Sequence, residues 1–154
     1  MQNQSLSKDY HPFFQVGNAN VSTAELYNVN TFAIKSLVMN FLSLQPFVPS
    51  GSDFEKSKQL FVALGFDISW DAGDYVGFKK DNCSFILQHF ENKPFAENFM
   101  VSVNVDNVDE FWNDVTKKQL PEKFGIRISA PMNQPYGREV NIIDIAGVCW
   151  HFVQ

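Results

Sequence analysis

Cysteine is scarce in this chain: Cys83 and Cys149 are the two among 154 residues, each inside an apolar, strand-like run. They form no metal-type spacing, so a zinc ribbon is not expected, and buried reduced thiols fit better than a disulfide. Positive charge is short as well. Twelve Lys and Arg face seventeen Asp and Glu, giving a net charge of −5 and a pI near 5.1. Nucleic acid and anionic membrane surfaces, which reward clustered cations, are therefore not expected partners, whereas a cationic ligand suits the field. No apolar run reaches the ~18–20 residues of a membrane span, and no basic segment followed by an apolar one opens the chain. A cytoplasmic protein, neither exported nor embedded, is expected. Nucleophile and phosphate motifs are also lacking: there is no Gly-x-Ser-x-Gly, and no glycine-rich loop precedes a predicted helix. Neither cysteine has an evident His or cationic neighbour in sequence to lower its pKa.

Aromatic residues, by contrast, are abundant. They make up 15% of the chain, sixteen of them Phe, in a composition that is 45% hydrophobic. One domain with a substantial core follows, and the length is too small for two of ordinary size. From about Phe41 the pattern reads strand, helix, three strands, and then repeats. Ser52 with Glu55 fits a capping box. Phe54, Leu60, Phe61 and Leu64 make a helical face that Gly65 ends, and strands are predicted over 66–70, 74–79 and 83–90. The second copy opens with a strand over 99–105. Asn107 with Glu110 repeats the cap, Val108, Phe111, Trp112 and Val115 form the face, and Pro121 forbids continuation. Strands over 126–130, 138–145 and 148–153 complete it.

Such a unit buries one sheet face and cannot stand alone, so the expected architecture is α+β, two βαβββ modules forming a half-barrel cavity. Residues 39–154 hold the modules. Residues 1–38 are rich in Asn, Ser and Gln and carry no net charge, with Lys8 and Lys35 balancing Asp9 and Glu25. They are expected to be a poorly ordered extension with a short helix near Thr31 to Val38, and Met39 is a candidate natural start.

The final hairpin carries a signature. Gln134-Pro135-Tyr136-Gly137-Arg138-Glu139 leads into Asp144-Ile145-Ala146-Gly147-Val148-Cys149-Trp150-His151-Phe152. This segment resembles the C-terminal motif of the bleomycin-resistance proteins, within the glyoxalase, bleomycin-resistance and extradiol-dioxygenase (vicinal oxygen chelate) superfamily. The resemblance extends over about Phe41 to Phe152. Pro46-Phe47-Val48-Pro49 resembles the family's first strand, Leu64-Gly65-Phe66 its first helix end, and Trp70, Tyr75, Gly77 and Asp81 its next hairpin. Tyr136 stands where the family usually has Trp.

The resemblance implies a homodimer that binds a flat, cationic aromatic molecule between rings from two subunits. Trp70, Tyr75 and Tyr136 would stack on it, Ser102 and Asn104, where the family has bulky tryptophans, would offer polar contacts, and Asp67, Asp71, Asp74 and Asp81 would supply the field. Arg138 and Glu139 are expected to be structural partners in the last hairpin. Enzymes of the superfamily hold a divalent ion. Here the corresponding positions offer at most Gln45, His89 (or Gln88 in a shifted alignment) and His151, with Met100 where enzymes commonly show His; His11 lies in the extension. No metal or other cofactor is therefore expected. The function implied is non-catalytic sequestration of a bleomycin-type antibiotic. The alternatives are a metal-dependent lyase, dioxygenase or thiol transferase of the same fold, and a binder of an endogenous metabolite.

Overall fold

The computed structural model describes residues 39–154. The expectations for residues 1–38 lie outside the described residues. In chain order the elements are β1 (Phe47–Pro49), α1 (Phe54–Ala63), β2 (Asp67–Asp71), β3 (Tyr75–Lys80), β4 (Cys83–Gln88), α2 (Lys93–Glu97), β5 (Met100–Asn104), α3 (Val108–Lys117), α4 (Leu120–Phe124), β6 (Arg127–Ile128), β7 (Met132–Gln134), β8 (Gly137–Ile143) and β9 (Cys149–Val153).

The repeat is visible in the pairing. One sheet runs β1-β4-β3-β2 and the other β5-β9-β8-β6, with β7 also on β8. In each, the opening strand pairs in parallel with the last strand of its module, and the remaining pairings are antiparallel. Alternation then sends every second side chain into one core. Val76, Phe78, Phe85 and Leu87 of the first sheet point there, as do Ile142, Trp150 and Phe152 of the second. The rings of Phe61 and Phe85 lie 5.1 Å from that of Trp150, which ties the modules together. Each such ring, fully buried, is worth about 1.5–3 kcal/mol, so this junction is a large share of the fold's stability.

Several elements differ from expectation for identifiable reasons. The α1 cap is Asp53, whose carboxylate accepts the Lys56 N–H at 2.9 Å, rather than Ser52. α3 ends at Lys117, ahead of the left-handed Gln119 (φ 54°), and Pro121 stands in the first turn of α4, where a proline gives up no intrahelical hydrogen bond. The five-residue α2, capped by Asn92 and with Pro94 in its first turn, has no apolar periodicity to announce it. The strand expected over 126–130 is only β6, and the chain rejoins the sheet as β7 after Pro131. The opening strand is paired only at Phe47–Pro49, with one bond just ahead of it from the Ile86 N–H to the Pro46 carbonyl at 2.9 Å. Phe41, Leu42 and Leu44 are consequently about nine-tenths exposed.

The last hairpin is held by one carboxylate. Asp144 Oδ1 accepts N–H groups from Ala146, Gly147 and Val148 at 2.9, 3.0 and 2.9 Å, and its Oδ2 accepts the Trp150 indole N–H at 2.9 Å. Gly147 takes the positive φ of 104° that closes the turn. No helix among the described residues is long and apolar enough to cross a membrane.

Candidate functional site

The two sheets present different chemistry on the faces turned away from the core. On the first, the register sets Trp70, Gly77, Ile86 and Phe47 in one row across the four strands. A bulge between Ile68 and Trp70 re-aims the indole, which lies over Gly77, where any Cβ would collide with it. Tyr75 stands in the next row, opposite Gln88, and meets Phe47 edge to face at 6.0 Å. The Tyr75 hydroxyl accepts from Gln88 Nε2 at 3.4 Å. Trp70, Tyr75 and Phe47 are 41%, 39% and 53% exposed, too open for ordinary core rings.

The acidic residues do not gather as expected. Asp71 and Asp74 lie at the β2–β3 turn, whereas Asp67 pairs with Lys79 at the opposite end of the hairpin, beside Asp81. Antiparallel pairing separates them. Asp71 is 3.6 Å from the Lys58 ammonium, which offsets part of the field near the rings, and Asp74 shares a 3.1 Å contact with His89 Nδ1.

The second sheet is polar on its outer face. Ser102, His151 and Asn141 form a row across β5, β9 and β8, and Asn104 stands two residues beyond Ser102 on the same face. Glu139, only 3% exposed, is the hub. It accepts the Tyr136 hydroxyl at 2.9 Å, Gln134 Nε2 at 3.2 Å and Asn141 Nδ2 at 3.3 Å, with His151 Nδ1 at 3.5 Å. Burial pushes the Glu139 carboxyl up, but the hydrogen bonds from Tyr136, Asn141 and His151 outweigh it and hold the group below the usual range. The bond to Glu139 raises the Tyr136 phenol in turn.

His151 Nε2 lies 3.4 Å from Cys149 Sγ. The sequence reading found no His beside this thiol, and the correction is simple: residues two apart on a strand share a face. Burial, followed by the charges of Glu139 and Asp144, pushes the Cys149 thiol up. Arg138 is likewise not the partner of Glu139. Its guanidinium donates to both Asp109 oxygens, at 2.9 and 2.8 Å, while Glu139 turns to the other face.

Within one chain the predicted ligand residues fall into two sets, Trp70 with Tyr75 and Ser102 with Asn104 and Tyr136. Among the described residues, no hydrogen bond or ring contact joins the sets. Asn104 borders a cavity of ≈ 530 Å3 with Asp106 and Glu110, and Ser102 one of ≈ 280 Å3 with Leu44 and Pro46. Phe47 and Gln88 are additions to the first set, and an apolar residue between two strand-like prolines gave no sign of exposure. The metal alternative finds its residues in separate networks. His89 stacks on Phe54 at 4.8 Å, His151 serves Glu139 and Cys149, and Gln45 is exposed before β1. The described residues contain no group of three or more His, Cys, Asp or Glu suited to an ion.

No protein-family model matches this chain, and no curated protein does. Solved structures do. The bleomycin-binding protein of Streptomyces verticillus, complexed with copper(II)-bleomycin, aligns with TM-score 0.63 and 20% identity over 75% of this chain and 97% of its own. A bleomycin resistance determinant encoded on transposon Tn5 gives 0.62 and 22%, over 74% and 98%. The Listeria monocytogenes fosfomycin resistance protein FosX, complexed with Mn(II) and sulfate, gives 0.58 and 9%, over 75% and 90%. The chain therefore has the fold shared by bleomycin-binding and glyoxalase/bleomycin-resistance proteins, α+β with two βαβββ modules.

Proposed function

We propose that this chain is a non-catalytic binding protein that sequesters a small, flat, cationic aromatic molecule of the bleomycin type as a homodimer. The observation that carries the reading is the row of Trp70, Gly77, Ile86 and Phe47 beside Tyr75, an open apolar platform on a sheet face with no covering element among the described residues. A ring stack adds about 0.5–1.5 kcal/mol beyond burial, whereas micromolar affinity takes about 8 kcal/mol. The platform must therefore be covered from above. In a twofold dimer the polar face of a second copy, bearing Ser102, Asn104 and Tyr136, supplies that cover, and symmetry makes two slots. Phe41, Leu42 and Leu44, exposed and apolar, are suited to the same association. Protection then comes from lowering the free drug, with slow release in place of turnover.

Calorimetric titration with a bleomycin tests this. The reading expects saturable heat at one ligand per chain, weakened about tenfold by Trp70→Ala. Absence of heat from the intact protein retires the antibiotic, and a metabolite screen then becomes the next step. Stoichiometric Zn, Mn, Ni or Fe, with turnover lost on chelation, would replace the binder with an enzyme.

A further inference from the structure

Cys149, His151 and Glu139 form a connected thiol, imidazole and carboxylate array within one chain, and nothing in the sequestration reading uses the thiol. Cys149 Sγ lies 3.4 Å from His151 Nε2, and His151 Nδ1 lies 3.5 Å from Glu139 Oε2. Glu139 is buried and tied down by Tyr136, Gln134 and Asn141, so it fixes the imidazole with Nδ1 protonated and Nε2 free to accept. Cys149 stands in a row between Met100 and Ile143, an apolar approach that stays open because Met100 is 66% exposed.

We propose that this array is a nucleophilic site that covalently captures small molecules carrying an activated carbon–carbon double bond. Burial and the charges of Glu139 and Asp144 keep Cys149 protonated at rest, so no standing thiolate does the work, and His151 Nε2 takes the thiol proton as Cys149 Sγ attacks the β-carbon. The C–S bond forms, the π pair moves onto the carbonyl-conjugated carbon, and the imidazolium returns the proton there. No oxidant or second reactant enters. Cys149 and His151 touch the reacting atoms, and Glu139 is a positioning residue.

The probe is N-ethylmaleimide, with each cysteine's adduct followed by peptide mass. Cys83, also partly exposed, is the internal reference. Cys149 is expected to react at least about tenfold faster than Cys83, and His151→Gln to slow it by about ten- to a hundredfold, up to the low end of what a positioned base supplies. Glu139→Gln should slow Cys149 less than His151→Gln does, with Cys83 unchanged. Labelling of Cys149 no faster than Cys83 in the intact protein overturns the proposal, as does a folded His151→Gln variant that reacts at the original rate. A variant that unfolds reveals itself by rapid Cys83 labelling, and the intact protein's ratio then decides alone. The array lies in one chain and the labelling is done without bleomycin, so these outcomes do not depend on whether a bleomycin binds.

Discussion

At the scale of single residues, the candidate site depends on what is missing at position 77. Gly77 has no Cβ, and that space is occupied by the Trp70 indole. Gly77→Ala is therefore expected to expel the indole from the platform, shift its fluorescence and weaken ligand binding about as much as Trp70→Ala, with little loss of secondary structure. Binding that survives Gly77→Ala unchanged would remove Trp70 from the site. How much of this was legible varies by residue. Trp70, Tyr75 and Tyr136 came from a resemblance, and the structure adds that all three are substantially exposed. Phe47 was not legible, because its exposure depends on lying in the row beyond Ile86, a long-range register. The Cys149–His151 contact is written in the chain as a two-residue spacing on a strand, which puts both side chains on one face although they are not neighbours in sequence.

At the scale of elements, small polar groups fix where helices start and hairpins turn. Asp53 caps α1 and Ser52 does not, so Asp53→Ala should cost about 1 kcal/mol of unfolding free energy and Ser52→Ala nearly nothing, as denaturant titration can check. The sequence offered both residues in adjacent positions, and only the local backbone chose between them. Pro121 shows the same limit, since a residue type that forbids a helix interior is also suited to a first turn, and here it stands in the first turn of α4.

The Asp144 turn makes a pH prediction. Burial raises its carboxyl from 3.8 to about 6, against the opposing bonds from Trp150 and the backbone of Val148, Gly147 and Ala146. The folded state thus holds this proton more tightly than the unfolded chain. The stability it contributes is fully present below the unfolded value and is lost as pH rises through about 6. Unfolding free energy measured from pH 4 to 7 should show that decline, and Asp144→Asn should flatten it while costing overall stability, because an amide cannot accept the Trp150 N–H and all three backbone N–H groups as the carboxylate does. An identical slope in the variant would assign the decline to another group.

At the scale of the whole molecule, the fold was largely legible because it is said twice. Each module has an opening strand, a capped helix with an apolar face and an antiparallel run after it, and the orders β1-β4-β3-β2 and β5-β9-β8-β6 correspond, with β7 an addition to the second. The site was legible only by halves. The proposed ring-bearing and polar walls sit on different sheets, and sequence alone carries no information on whether a second copy of the chain brings them together. Association is thus part of the functional account. Phe41→Asp with Leu42→Asp, at positions nine-tenths exposed in the single chain, is expected to leave the thermal midpoint of the module nearly unchanged while shifting sedimentation from dimer to monomer and abolishing tight binding. A dimer unaffected by both charges would locate the interface elsewhere.

Native mass spectrometry of the protein mixed with a bleomycin puts the central claim to the most direct test, since it weighs the assembly and its guest together. The account predicts a dimer carrying two ligands, each released at its original mass. A monomer, an empty dimer at saturating ligand, or a guest of altered mass would contradict it.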